Sequence, residues 1–144
     1  PGLYEKGAFL SAVDTITRTQ RPLDADHGVT VDGYGSVDAS GIQNEWSAQM
    51  AFADNMAASG WDRPAPQIYL WKWAYFLRQV ARARIAAPDG KGAGLAQAAV
   101  AHESGFGGFT WDSTTIAPAS VAWWMLASLD FHPFIPETDD IHTD

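Results

Sequence analysis

Apolar residues recur at three- and four-residue intervals through most of the chain, and that period predicts helices. Phe9, Leu10, Val13 and Ile16 mark one face of a helix over 4–19, which Arg21-Pro22 ends because the residue before proline avoids helical geometry. Ile42, Trp46, Met50, Ala53 and Ala57 mark a second helix. Ser40 and Gln43 have the spacing of a capping box at its start, and Gly60 is a left-handed stop at its end. Tyr69, Trp73, Phe76, Val80 and Ala83 give a third helix, over 65–87, with Pro66 tolerated in its first turn and Pro88, Asp89 and Gly90 ending it. Leu70, Trp71 and Leu77 widen its apolar stripe until the first half is apolar nearly all round, which predicts a central helix.

The remainder is less periodic. An alanine-rich stretch predicts a fourth helix over 93–104, with small side chains for close approach and Gly105 as its stop. A fifth helix runs from near Thr115 to Leu129, with Pro118 in its first turn and Val121, Trp124, Met125 and Leu129 on its buried stripe. Residues 20–40 and 105–115 read as long irregular loops. Val29, Val31 and Val37 around Asp32-Gly33 leave a short hairpin as an alternative in the first. The expected fold is therefore all-α, five helices around the third, in one helical domain over 1–129. A proline-containing acidic tail follows over 130–144.

Composition narrows the chemistry. The 144 residues contain no cysteine, which removes disulfides, thiolate metal sites and a cysteine nucleophile. With 17 acids against 9 cations, the net charge of −8 argues against nucleic-acid binding, which needs lysine and arginine at phosphates. The charge is regional: residues 1–91 hold all 9 cations and 10 acids, whereas residues 92–144 hold 7 acids and no Lys or Arg. That asymmetry points to a surface with a preferred partner, the alternative being an acidic region that aids solubility. No apolar run is long enough to span a membrane, and Pro1 to Lys6 leads directly into the first amphipathic stretch with no signal sequence. These features favour a cytoplasmic or assembly-incorporated chain without membrane insertion.

Three groups of residues carry candidate chemistry. Asp24, Asp26 and Asp32, with His27 and Asp38 nearby, supply oxygens of the kind calcium takes in a loop. The spacing is not that of an EF-hand, and Asp and Gly also favour turns, so the expected cofactor is none, with calcium the alternative. Glu103 and Asp112 are a candidate acid and base for a glycan hydrolase, with Trp111, Phe106 and Phe109 as stacking surfaces. The segment His102-Glu103-Ser104-Gly105-Phe106-Gly107 is similar to the glutamate motif of lytic transglycosylases. It stands too near the end of this sequence to be followed by that family's cleft. No Glu-x-x-His or His-x-x-x-His pair, G-x-S-x-G elbow, phosphate loop or dinucleotide fingerprint occurs.

The third group is an interface. Seven tryptophans exceed what a small core needs, and aromatic anchors concentrate where proteins meet. Trp71, Lys72, Arg78 and Arg82 on the third helix, with Trp111 and Trp123, are the candidate interface residues. The expected function is that of a non-enzymatic helical subunit that mediates protein–protein contact or self-association in a larger assembly. Two alternatives remain: the glycan hydrolase, and a helical protein that binds an apolar small molecule or pigment between the third and fifth helices.

Overall fold

The computed structural model describes residues 11–16, 23–26, 29–35, 41–59, 66–103 and 110–129. Their fold is mixed rather than all-α: four helices accompany three small antiparallel sheets of two strands each. The helices are α1 (11–16), α2 (Asn44–Ser59), α3 (Pro66–Arg82) and α4 (Pro118–Ser128). The strands pair as β1 (Leu23–Asp26) with β2 (Val29–Asp32), β3 (Arg84–Ala86) with β4 (Ala93–Leu95), and β5 (His102–Glu103) with β6 (Thr110–Trp111).

The expected fourth helix is the principal departure. Residues 93–99 are extended and sewn into their surroundings by backbone hydrogen bonds. Asn44 N donates to Gln97 O (2.9 Å), Ala99 N to Ile42 O (3.0 Å), Ala98 N to Asp112 O (3.1 Å) and Ala117 N to Leu95 O (2.8 Å). Ala96, Ala98 and Ala99 are all fully buried, on both faces of the segment, as in a strand covered on two sides. A helix would have offered one buried stripe. Alanine's helix propensity amounts to only a few tenths of a kcal/mol over most residues, and these tertiary contacts outweigh it.

The third helix accordingly ends at Arg82, not Ala87. Pro88, Asp89 and Gly90 do not stop a helix; they turn the β3–β4 hairpin. Proline's fixed φ suits the first central position of the turn, and Gly90 takes φ +70°. Gly90 N donates to Ala87 O, Ala87 N to Gly92 O, and Lys91 N to Asp89 Oδ1 (3.0 Å). In the first loop a hairpin does form, one turn earlier than the valines suggested. Val29 and Val31 share β2, and Asp32 ends that strand, with Gly33 after it, instead of turning the hairpin. Ser40, Gly60, Phe106, Phe109 and the tail lie outside the described residues.

The centre of the molecule is α2, not α3. From Asn44 to Ala58 every residue of α2 is buried or half-buried, with α3 on one flank and α4 on another. Its most buried residues are small or polar: Asn44, Ser47, Ala48, Ala51, Asp54, Asn55 and Ala57. Small side chains let neighbouring helices approach closely. Gln43 precedes the helix, its carbonyl accepting Ser47 N (2.9 Å) and Ser47 Oγ (2.8 Å), so it is no third residue of a capping box. On α4 the buried positions are Ser120 and Ala127, while Met125 and Leu129, expected inside, are exposed. No described helix is long and apolar enough to cross a membrane.

Three apolar clusters fill the interior. Val13, Ala57 and Tyr69 join α1 to α2 and α3. Val31, Ile42, Ala83 and Ala99 join β2 to the extended segment, and Tyr34, Ala51 and Phe76 lie between them.

Candidate functional site

Helix α3 is amphipathic in an unusual way: both its faces carry large apolar side chains. Tyr69, Phe76 and Val80 are buried against α2, as their spacing predicts. The opposite face is exposed. Ile68 retains 55% of its surface and Trp71 54%. The stripe Trp71, Tyr75, Arg78, Arg82 follows the i, i+4, i+7, i+11 positions of one helix edge, with Ile68 beside its start. Leu70 is also exposed.

Trp71 is held in place from below. Its indole stacks on the Tyr75 ring, with centroids 5.0 Å apart and planes 15° from parallel. The Tyr75 hydroxyl donates to Asp32 Oδ2 (2.9 Å) at the end of β2, and Asp32 N donates to Gln79 Oε1 (3.2 Å) back on α3. Tyr75 also meets Phe76 edge-on at 5.2 Å. An exposed tryptophan supported in this way loses little rotamer freedom when something covers it.

Beside this stripe lies an ionisable cluster. Lys72 Nζ is 3.7 Å from Asp14 Oδ1 on α1 and 5.0 Å above the Tyr69 ring, whose hydroxyl donates to the same carboxylate oxygen (2.8 Å). Asp54 projects from α2 with no exposed surface, and neither of its carboxylate oxygens has a hydrogen-bond partner among the described residues. Desolvation pushes its pKa up to about 7, although Lys72 favours the ionised form; Asp14 adds to the rise. Hydrophobic patterning gave no hint of Asp54. Its only signal is an acid at a position where the second helix should be apolar.

The other sequence candidates are placed as follows. Trp111 is half-buried and packs edge-on against Trp46 at 5.8 Å, and Trp123 packs edge-on against Phe52 at 6.0 Å. Both therefore contribute to the packing of α2. Trp73 Nε1 and Trp124 Nε1 bond the carbonyls of Ala127 (2.9 Å) and Leu77 (3.2 Å), tying α3 and α4 together antiparallel. Arg78 and Arg82 are exposed.

Glu103 is exposed on β5, and Asp112 directly follows β6. The Asp112 carboxylate is occupied with its own turn, accepting Thr114 N (2.8 Å) and Thr114 Oγ1 (2.7 Å). The Thr115 hydroxyl, then Thr114, hold its pKa down to about 2, so it is an ionised turn anchor at neutral pH. His102 Nδ1 lies 2.8 Å from Val100 O, and its ring fills the space beside Gly41 that a Cβ would occupy.

In the β1–β2 register, position 24 faces 31 and position 26 faces 29, while position 32 faces 23. A two-stranded ribbon alternates, so positions 24 and 26 belong to one face and Asp32 to the other. Among the described residues no three His, Asp or Glu side chains gather closely enough to hold a metal ion.

No family model, no curated protein and no solved structure matches this chain significantly.

Proposed function

We propose that this protein is a protein-interaction module whose contact surface is the exposed stripe of α3. One observation carries the reading: Ile68 and Trp71 stand more than half exposed on the helix richest in large apolar side chains, and Trp71 is braced by the Tyr75–Asp32 hydrogen bond. Leaving such groups in water forgoes about 1.5–3 kcal/mol each relative to burying them. A rigid aromatic anchor with arginines two and three turns along the same helix edge has the composition of an interface hot spot. Met125 and Leu129 at the end of α4 are further exposed apolar side chains.

A photo-crosslinking amino acid tests this at the residue level. Placed at position 71, it should trap one discrete protein adduct. Placed at position 119, exposed at the far end of α4, it should trap none. Equal or absent adducts at the two positions would remove the proposal.

A further inference from the structure

Resting on that reading, the chemistry along α3 identifies the partner. We infer that the α3 stripe receives the C-terminal segment of a second copy of this chain, with residues 131–135 over Ile68 and Trp71 and the acids that follow over Arg78 and Arg82.

The surface is polarised along its length. Its first half is aromatic and aliphatic, Ile68, Trp71 and Tyr75; its second half is cationic, Arg78 and Arg82, with exposed Arg84 just beyond on β3. After Asp130, the C-terminal segment is polarised in the same order. Phe131, Phe134 and Ile135 come first, then Glu137, Asp139 and Asp140, with no lysine or arginine anywhere in it. The distances agree. Trp71 and Arg82 are eleven residues apart on a helix, about 17 Å at 1.5 Å per residue. Phe134 and Asp139 are five residues apart, also about 17 Å when extended. Only the parallel direction brings phenylalanine to tryptophan and carboxylate to guanidinium together; the reverse sets acids on the apolar half. Pro133 and Pro136 suit an extended ligand, since they restrict the free segment and lower the entropy lost on docking.

A second copy is the natural donor because of how α4 ends. It runs antiparallel to α3, with Trp124 at Leu77 and Ala127 at Trp73, so it delivers Leu129 beside the apolar end of α3, heading away from Arg78 and Arg82. Another copy meets no such reversal, and reciprocal exchange forms two identical contacts related by a two-fold axis. Guanidinium–carboxylate pairs at the rim of such a contact set direction and register more than affinity, and the apolar half supplies the binding energy.

Complementation between two damaged full-length chains tests the inference. Trp71→Glu damages the surface and keeps the segment. A chain carrying Phe134→Ser, Glu137→Gln, Asp139→Asn and Asp140→Asn damages the segment and keeps the surface. In sedimentation velocity the wild type should dimerise, more weakly at high salt, each variant alone should run as a monomer, and their equimolar mixture should recover a dimer. A segment variant that still dimerises, while Trp71→Glu does not, overturns this inference and leaves the α3 surface standing. A Trp71→Glu chain that dimerises as well as the wild type removes both. A monomeric wild type overturns the second-copy assignment; if the segment variant alone then shifts Trp fluorescence, the segment folds back on its own α3.

Discussion

Asp54 shows how much one buried side chain costs when it has no hydrogen-bond partner among the described residues. Its carboxyl is buried within α2, and desolvation raises its pKa from 3.8 to about 7. Below pH 4 both folded and unfolded states hold the proton and no penalty exists. Between pH 4 and 7 the unfolded state ionises while the folded state keeps its proton, so stability falls as pH rises; above 7 the loss is complete. The full loss is on the order of 4 kcal/mol. Asp54→Asn should therefore gain stability over the wild type as pH increases from 4 to 8, by up to that amount. Urea midpoints of the two proteins across this range check it. A constant difference at every pH would contradict the account. Trp71 stood out in the sequence as a candidate because tryptophan is large and Lys72 follows it, and the structure leaves it exposed. Asp54 did not stand out, because hydrophobic periodicity marks only apolar positions and leaves buried polar groups unmarked.

Among the elements, α3 and α4 were readable where large apolar residues repeat and proline fixes the first turn: α3 begins at Pro66 and α4 at Pro118. The extended segment 93–99 was not. Alanine reports neither period nor face, so the stretch carried a propensity without a direction, and its partners lie far away in sequence at Ile42, Asn44, Asp112 and Ile116. The turn chemistry of Pro88-Asp89-Gly90 was visible but fitted a helix stop as well as a hairpin. Gly94 separates the two readings experimentally. In a helix, Gly94→Ala would stabilise the protein by about 0.5–1 kcal/mol. In β4 an added Cβ would stand 2.7 Å from Ile116 Cγ2, so the substitution should destabilise by about 1–3 kcal/mol. Thermal unfolding reads the sign directly: a raised Tm would contradict the strand, a lowered one supports it.

For the molecule as a whole, the sequence pointed to the wrong centre. Large side chains made α3 look innermost, yet α2, built of alanine, serine, asparagine and aspartate, is the helix enclosed on its flanks. Close packing favours small residues at the axis, whereas hydrophobicity scales favour large ones, and the two criteria diverge here. With the interior filled by small residues, part of the aromatic surplus is left outside, on the α3 stripe. Charge follows the same division: the cations Arg78, Arg82 and Arg84 line or adjoin that stripe, while the C-terminal 53 residues hold seven acids and no Lys or Arg. The proposal that this stripe holds a protein partner is tested by native mass spectrometry of wild-type and Trp71→Glu protein purified from the source. The wild type should fly in an assembly heavier than the single chain, and Trp71→Glu should be released as the single chain with an unchanged Tm. A wild type present only as the free chain, or an assembly that survives Trp71→Glu intact, would contradict it.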